Sequence, residues 1–218
     1  MKLMKLNKKN IIQILKEFEE NNGIEMTDSL FKLFSNMNDN YYDTMVKCSS
    51  LNHMYSTSIK YLDPIVENIT LLLSKTDIDE FSLKDFENMV DEISYVEWNS
   101  RNSGKLNKRN NLSFSSKYIH FLSNGKVMIY DSYIWVLLTA YLNQYKNKNY
   151  KYTNPSNYKE FLNRFKEFKY EFNLNSYTNY QLDKYLWFYG KKMTEVYLKE
   201  NNNLSQSKRK LLKLLKEN

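Results

Sequence analysis

The sequence predicts a mainly α-helical protein. Three observations carry that prediction. Apolar residues recur three and four positions apart along most of the chain, the spacing of one helix face. Only four glycines and two prolines punctuate 218 residues, too few for a turn-rich β fold. Hydrophobic residues at 42% and aromatics at 16% supply enough apolar mass for a packed core rather than a disordered chain. The length suits a single helical domain over 1–218, or two lobes sharing a core, with a basic helix over 203–218.

Taken in order, Lys8 to Glu20 reads as an amphipathic helix with Ile11, Ile12, Leu15 and Phe18 facing inward, ended by Asn21-Asn22-Gly23. Thr27 or Asp28 is expected to cap a short helix carrying Leu30, Phe31 and Phe34. A third segment starts near Tyr41 and runs through Met45 and Val46 into LNHMYSTSI, residues 51–59. Asp63-Pro64 opens a helix, because proline suits a first turn. That helix is apolar almost all round at Ile69 to Leu73, which marks it as central. Ser82 and Asp85 have the spacing of a capping box ahead of Phe86, Met89, Val90 and Ile93. Residues 99–111, with Arg101, Gly104, Lys105, Lys108 and Arg109, read as a polar, basic connection.

The chain is organised around Phe114 to Trp135. Phe114, Tyr118, Phe121 and Leu122 make one helix face, and Asn124-Gly125 is a left-handed stop. Val127 to Ile129 then runs extended into Asp131. After Asp131, the residues Ile134, Leu137, Leu138, Tyr141, Leu142 and Tyr145 form a long inward stripe. Asp131 is therefore expected at the N-cap, held by a rigid helix whose amides favour its ionised form. Residues 147–154 form a polar link to a helix after Pro155 lined by Phe161, Leu162, Phe165 and Phe168. Residues 176–199 carry QLDKYLWFYGKK, and 205–217 form a short basic amphipathic helix. The total is nine or ten helices, with no internal repeat and no linker that divides independent domains.

The formal net charge is +7, from 32 basic and 25 acidic residues. A polyanionic partner fits that balance, and so does the lysine- and asparagine-rich composition of an AT-rich genome. One cysteine, Cys48, excludes an internal disulfide framework. With only His53 and His120 beside it, no metal site is expected. No apolar run approaches the roughly 20 residues of a membrane span, and the N-terminus has no apolar core of signal-peptide length. The expectation is a soluble, cytoplasmic monomer without a cofactor.

Three blocks, LNHMYSTSI, SFSSKYIHF…IYDSYI and LDKYLWFYGKK, resemble a group of bacterial and phage-associated proteins that carry them in this order. That group is similar to a divergent branch of the helix-hairpin-helix (HhH-GPD) DNA glycosylases. The blocks span roughly residues 50–192. The resemblance implies a bundle of two helical lobes with a central cleft, an early helix lining a base pocket, a helix-hairpin-helix gripping the phosphate backbone, and an aspartate opening the next helix as catalytic carboxylate. Two departures stand out. KLNKRNNL, residues 105–112, replaces the usual glycine-rich hairpin, and the lysine nucleophile of bifunctional members aligns nearer Ser113 than Lys117, one turn away. The absence of a four-cysteine cluster excludes the iron–sulfur branch.

On this resemblance the expected function is a monofunctional DNA glycosylase acting on double-stranded DNA with an altered base, a phage-modified base included. The alternative is a DNA-binding or interaction protein of the same fold without the chemistry. Asp131 is the candidate catalytic carboxylate, and its other reading is an ordinary N-cap. Lys117 is a Schiff-base nucleophile, a phosphate contact or an ion-pair partner. His120, one turn on, is a cleft residue or a satisfied core histidine. Asn52, Tyr55, Ser56 and Thr57 line the base pocket, or else pack in the core and cap the next helix. Lys105, Lys108 and Arg109 hold DNA phosphates, or belong to a solvated loop.

Overall fold

The computed structural model describes residues 2–21, 24–99, 103–201 and 204–216. Arg101, Asn22, Gly23 and residues 203 and 217–218 of the basic C-terminal segment lie outside the described residues. In chain order the described elements are α1 (Lys8–Asn21), α2 (Ile24–Asn36), α3 (Tyr41–Met54), α4 (Asp63–Leu73), a 3₁₀ turn (Ile78–Glu80) and α5 (Leu83–Ser94). There follow β1 (Tyr95–Asn99), β2 (Leu106–Asn110), α6 (Leu112–Leu122), α7 (Ser132–Lys146), α8 (Tyr158–Glu171), α9 (Asn179–Asn201) and α10 (Leu204–Lys216). The protein is mainly α. Its described residues fall into two compact units. A terminal unit holds 2–21, 131–156 and 160–216, and a middle unit holds 24–130 and 157–159.

In the middle unit, α6 packs against α2, α3 and α5. Leu112, Phe114, Tyr118, Ile119 and Phe121 of α6 are buried. Phe34 lies edge-on to the Tyr118 ring at 5.0 Å, and Phe31 meets Phe121 at 4.8 Å. Aromatic pairs in these geometries add to the gain from burial alone. The capping box of α5 is formed: Ser82 Oγ accepts from Asp85 N at 3.3 Å, and Asp85 Oδ2 accepts from Ser82 N at 2.9 Å. Asn40 caps α3 through Oδ1 and Asp43 N at 3.0 Å.

In α3 the inward face is Thr44, Lys47, Cys48 and Leu51, with Val46 exposed. Three expectations are corrected here. Thr27 and Asp28 lie inside α2 rather than capping it. Leu71 of α4 is exposed while Ile65, Val66, Ile69 and Leu73 are buried, so α4 is one-sided. The third is the connection over 99–111, which contributes to an antiparallel hairpin that pairs Val96 with Arg109 and Glu97 with Lys108. Tyr-Val-Glu-Trp alternates around a buried Val96, and Lys108 Nζ reaches Glu97 Oε1 at 2.6 Å across the strands. Gly104 sits at φ +62 between them, where a side chain would be strained.

In the terminal unit, α9 packs on α7, α1 and α10. Of the expected α7 stripe, Ile134, Leu137, Leu138, Tyr141 and Leu142 are buried and Tyr145 is half-buried; Trp135, Thr139 and Ala140 are buried too, so most of this helix is enclosed. In α1 the inward face is Ile11, Ile14 and Phe18, with Ile12 half exposed, a shift of the helix face by under one residue step. Phe18 packs edge-on to Phe188 at 5.8 Å, and Glu17 pairs with Lys192. Ahead of α1 the chain is fastened by side chains: Leu3 N donates to Gln144 Oε1 at 3.0 Å, and Met4 N to Tyr189 Oη at 3.0 Å. Tyr141 Oη donates to Met4 O at 3.0 Å, so Tyr185 must supply the proton in the 2.8 Å bond between the two phenols.

Gly190 explains why glycine stands in the LDKYLWFYGKK block. A Cβ there would lie 2.9 Å from Tyr133 Cβ and 3.3 Å from Leu137 Cδ1. Tyr133 Cβ cannot rotate away, so α7 and α9 would have to separate. Gly190→Ala is expected to cost about 1–3 kcal/mol, read as a lower urea midpoint. In an open helix the same change gains up to about 1 kcal/mol, so a stabilised variant would refute the close approach.

Candidate functional site

The stretch from α6 to α7 is built by local hydrogen bonds. Asn124 and Gly125 both take positive φ, and Gly125 N donates to His120 O at 2.7 Å. Ser116 Oγ accepts from Tyr130 N at 3.0 Å and lies 3.4 Å from Tyr130 O, so one hydroxyl takes the place of a neighbouring strand. The run Val127 to Tyr130, neither helix nor strand, is thereby tied to α6 at Tyr130, with all four side chains buried.

Lys117 is 3% exposed. Its Nζ donates to Ser113 Oγ at 2.7 Å and Ser113 O at 3.2 Å, lies 3.4 Å from Tyr130 O, and sits 5.5 Å from the centre of the Tyr55 ring. A helical side chain leans towards its own N-terminus. The amine of Lys117 therefore arrives beside Ser113, the position one turn earlier.

His120 is also 3% exposed, and its Nδ1 lies 2.6 Å from Val127 O. A carbonyl only accepts, so Nδ1 carries the proton. The ring packs against Phe31 and Phe121. In this position the histidine secures the turn after α6.

The 51–59 block ends α3 and then folds back in a tight loop. Asn52 Oδ1 accepts from Thr57 Oγ1 at 2.6 Å and Ile59 N at 3.0 Å, while Asn52 Nδ2 donates to Ile59 O at 3.0 Å. Ser56 and Ser58 take left-handed φ of 49 and 56. Such residues persist where their surroundings over-determine them. Here the Asn52 carboxamide holds the loop from inside and Arg109 of β2 from outside, donating to Ser58 O at 3.0 Å and Thr57 O at 3.3 Å. Tyr55 sits 6.1 Å from Phe121, which brings it together with Lys117, while Ser56 is exposed. Of the three basic residues near the hairpin, Arg109 clamps the loop, Lys108 pairs with Glu97 and Lys105 is exposed.

Asp131 caps α7. Its Oδ1 accepts from Tyr133 N at 2.8 Å, and its backbone O accepts from Trp135 N at 2.9 Å. The carboxylate is half-buried. Burial, and then the charge of Asp131, push the Tyr133 hydroxyl up to about 12. Asp131 belongs to the terminal unit, whereas Lys117, Tyr55, Asn52 and His120 belong to the middle unit.

Sequence reasoning missed Ser113 and the Tyr130 carbonyl as partners of Lys117, and Ser116 as the partner of the Tyr130 backbone. The serine spacing was a usable signal, since Ser113 and Lys117 are four apart on one helix. Arg109 as a loop clamp had none, because it lies 51 residues from Ser58. Among the described residues, no group of three or more His, Cys, Asp or Glu side chains is placed to hold a metal ion. No described helix is long and apolar enough to cross a membrane.

A family model described as HI_0787_N, N-terminal domain, matches residues 6–126. The matched stretch includes the 51–59 loop and Lys117 and stops five residues before Asp131. No curated protein and no solved structure matches the chain.

Proposed function

The chain belongs to the HI_0787_N, N-terminal domain, family, and on the separate ground of its three sequence blocks we propose that it is a monofunctional DNA glycosylase of HhH-GPD-like fold. Its substrate is an altered base in double-stranded DNA, a phage-modified base included, with antiviral defence as the setting. The observation that supports this reading is the order helix, left-handed turn, short buried run and Asp131 at the cap of a mostly enclosed helix.

The chemistry follows from a carboxylate held at a fixed place. The flipped nucleotide presents its glycosidic bond, and positive charge builds on the sugar as the C1′–N bond breaks. Asp131 stabilises that charge and orients the attacking water. The water oxygen joins C1′, the bond pair leaves with the base, and the proton lost by the water balances the one the base takes up. Lys117, enclosed by Ser113, Tyr130 O and the Tyr55 ring, is assigned to positioning rather than lyase chemistry. Tyr55, Asn52, Ser56 and His120 shape the wall beside it. Lys105 is the exposed phosphate contact of the hairpin, with Lys108 and Arg109 at its base.

The test is release of free base from unmodified and phage-modified DNAs by the wild type and by Asp131→Asn. Asparagine also caps helices, so the variant keeps the fold. Wild type is expected to leave abasic sites in one of the DNAs, with the variant slower by about 10²–10³. If neither protein releases a base and both bind DNA equally, the chemistry is absent and Asp131 is only a cap.

A further inference from the structure

We propose that an open groove in the terminal unit binds single-stranded nucleic acid, gripping its phosphates with Lys151 and Lys216 and stacking a base against Tyr152. The groove has a cavity volume of about 610 Å³ and runs between the 147–154 segment and the end of α10. Lys148, Asn149, Tyr150, Lys151, Tyr152 and Lys216 line it, and its described lining residues include no acid.

Its wall is ordered. Asn143 Nδ2 donates to Tyr150 O at 3.0 Å, and Asn143 Oδ1 accepts from Tyr150 N at 2.9 Å. Trp135 Nε1 donates to Thr153 O at 2.7 Å. The Arg164 guanidinium lies 3.8 Å from the Trp135 ring centre and 4.5 Å from that of Tyr150. The segment after α7 is thus pinned to the core at three points, although its sequence is that of a polar link.

The charges divide into two sets. Lys148 is taken up by Glu167 at 2.9 Å and Glu171 at 3.3 Å, and those carboxylates hold its ammonium above the ordinary lysine range. Among the described residues no carboxylate pairs with Lys151 or Lys216. Lys151 is exposed, and Lys216 Nζ sits 5.8 Å from the Tyr152 ring centre. Two available ammonium groups interleaved with an aromatic ring match a chain of phosphates carrying unstacked bases. A duplex offers the phosphates but keeps its bases stacked. This groove needs nothing from Asp131, so the inference stands apart from the glycosylase reading.

The experiment is fluorescence anisotropy of labelled oligothymidylate, oligouridylate and a DNA duplex over a salt series. Proteins compared are wild type, Lys151→Gln/Lys216→Gln, Tyr152→Leu and a charge-matched control, Lys32→Gln/Lys75→Gln, on exposed positions of the middle unit. The double variant is expected to bind single strands about tenfold more weakly at low salt, with a log–log salt slope shallower by about 1.4, at about 0.7 per phosphate contact. Tyr152→Leu is expected to weaken binding without changing the slope. The stronger of the thymidylate and uridylate arms names the source of the strand. Absent wild-type binding of either single strand, an unchanged double variant, an equal loss in the control or an equal loss of duplex binding by the double variant would each overturn the proposal.

Discussion

Asp39→Ala is expected to destabilise the middle unit by about 3–5 kcal/mol, the cost of stripping a buried charge of its partner. The Lys47 side chain has no exposed surface, and its Nζ meets Asp39 Oδ1 at 2.7 Å. Around it lie the Phe34 ring, 5.5 Å from the ammonium, and the buried neighbours Thr44 and Cys48. Burial pushes the Cys48 thiol and the Tyr118 hydroxyl far above their ordinary values, so both stay neutral and neither can replace the carboxylate. Removing both charges should cost much less: Asp39→Ala/Lys47→Met keeps the apolar stem and leaves no stranded ion. Urea unfolding of both variants checks this. A single variant costing under about 1 kcal/mol would show that the pair behaves like one at the surface, consistent with the partial exposure of the Asp39 carboxylate.

Trp135→Ala is expected to cost the terminal unit about 3–5 kcal/mol, through lost apolar burial and the cavity left behind. Trp135 is 1% exposed, packs against Phe161 and serves the chain twice more. Its indole N–H satisfies Thr153 O, and its ring carries the Arg164 guanidinium. Trp135→Phe retains much of the ring and loses the N–H, so it separates the two contributions. It is expected to cost about 1–3 kcal/mol, the range for a polar group left without its partner. Thermal unfolding gives the stabilities, and hydrogen exchange of the 147–154 amides reports the wall. Equal costs for the two substitutions would mean that the hydrogen bond, not the packing, dominates.

What could be read from the chain in order was whatever is decided within one or two helical turns. The Ser82–Asp85 capping box, the left-handed stop at Asn124-Gly125, Asp131 as N-cap and the inward stripe of α7 all depend on residues a few positions apart. Their energies act before any tertiary contact exists, and the structure shows each of them. The resemblance to HhH-GPD glycosylases added an assignment of chemistry, which the base-release experiment addresses.

Tertiary structure alone decided which side of each element is covered. Lys47 reads as a surface residue of a weakly patterned helix until Asp39 and Phe34 close over it. Asn52 reads as a base-contacting amide until Thr57 and Ile59 use both of its polar ends. The 95–110 hairpin is short and half polar, so its alternation is too brief to stand out, and its pairing comes from the partner strand rather than from either strand alone. Gly190 looks like a breaker within a helix, and only the approach of Tyr133 shows why nothing larger fits. Periodicity and caps are local and add along the chain, whereas burial depends on neighbours tens of residues away.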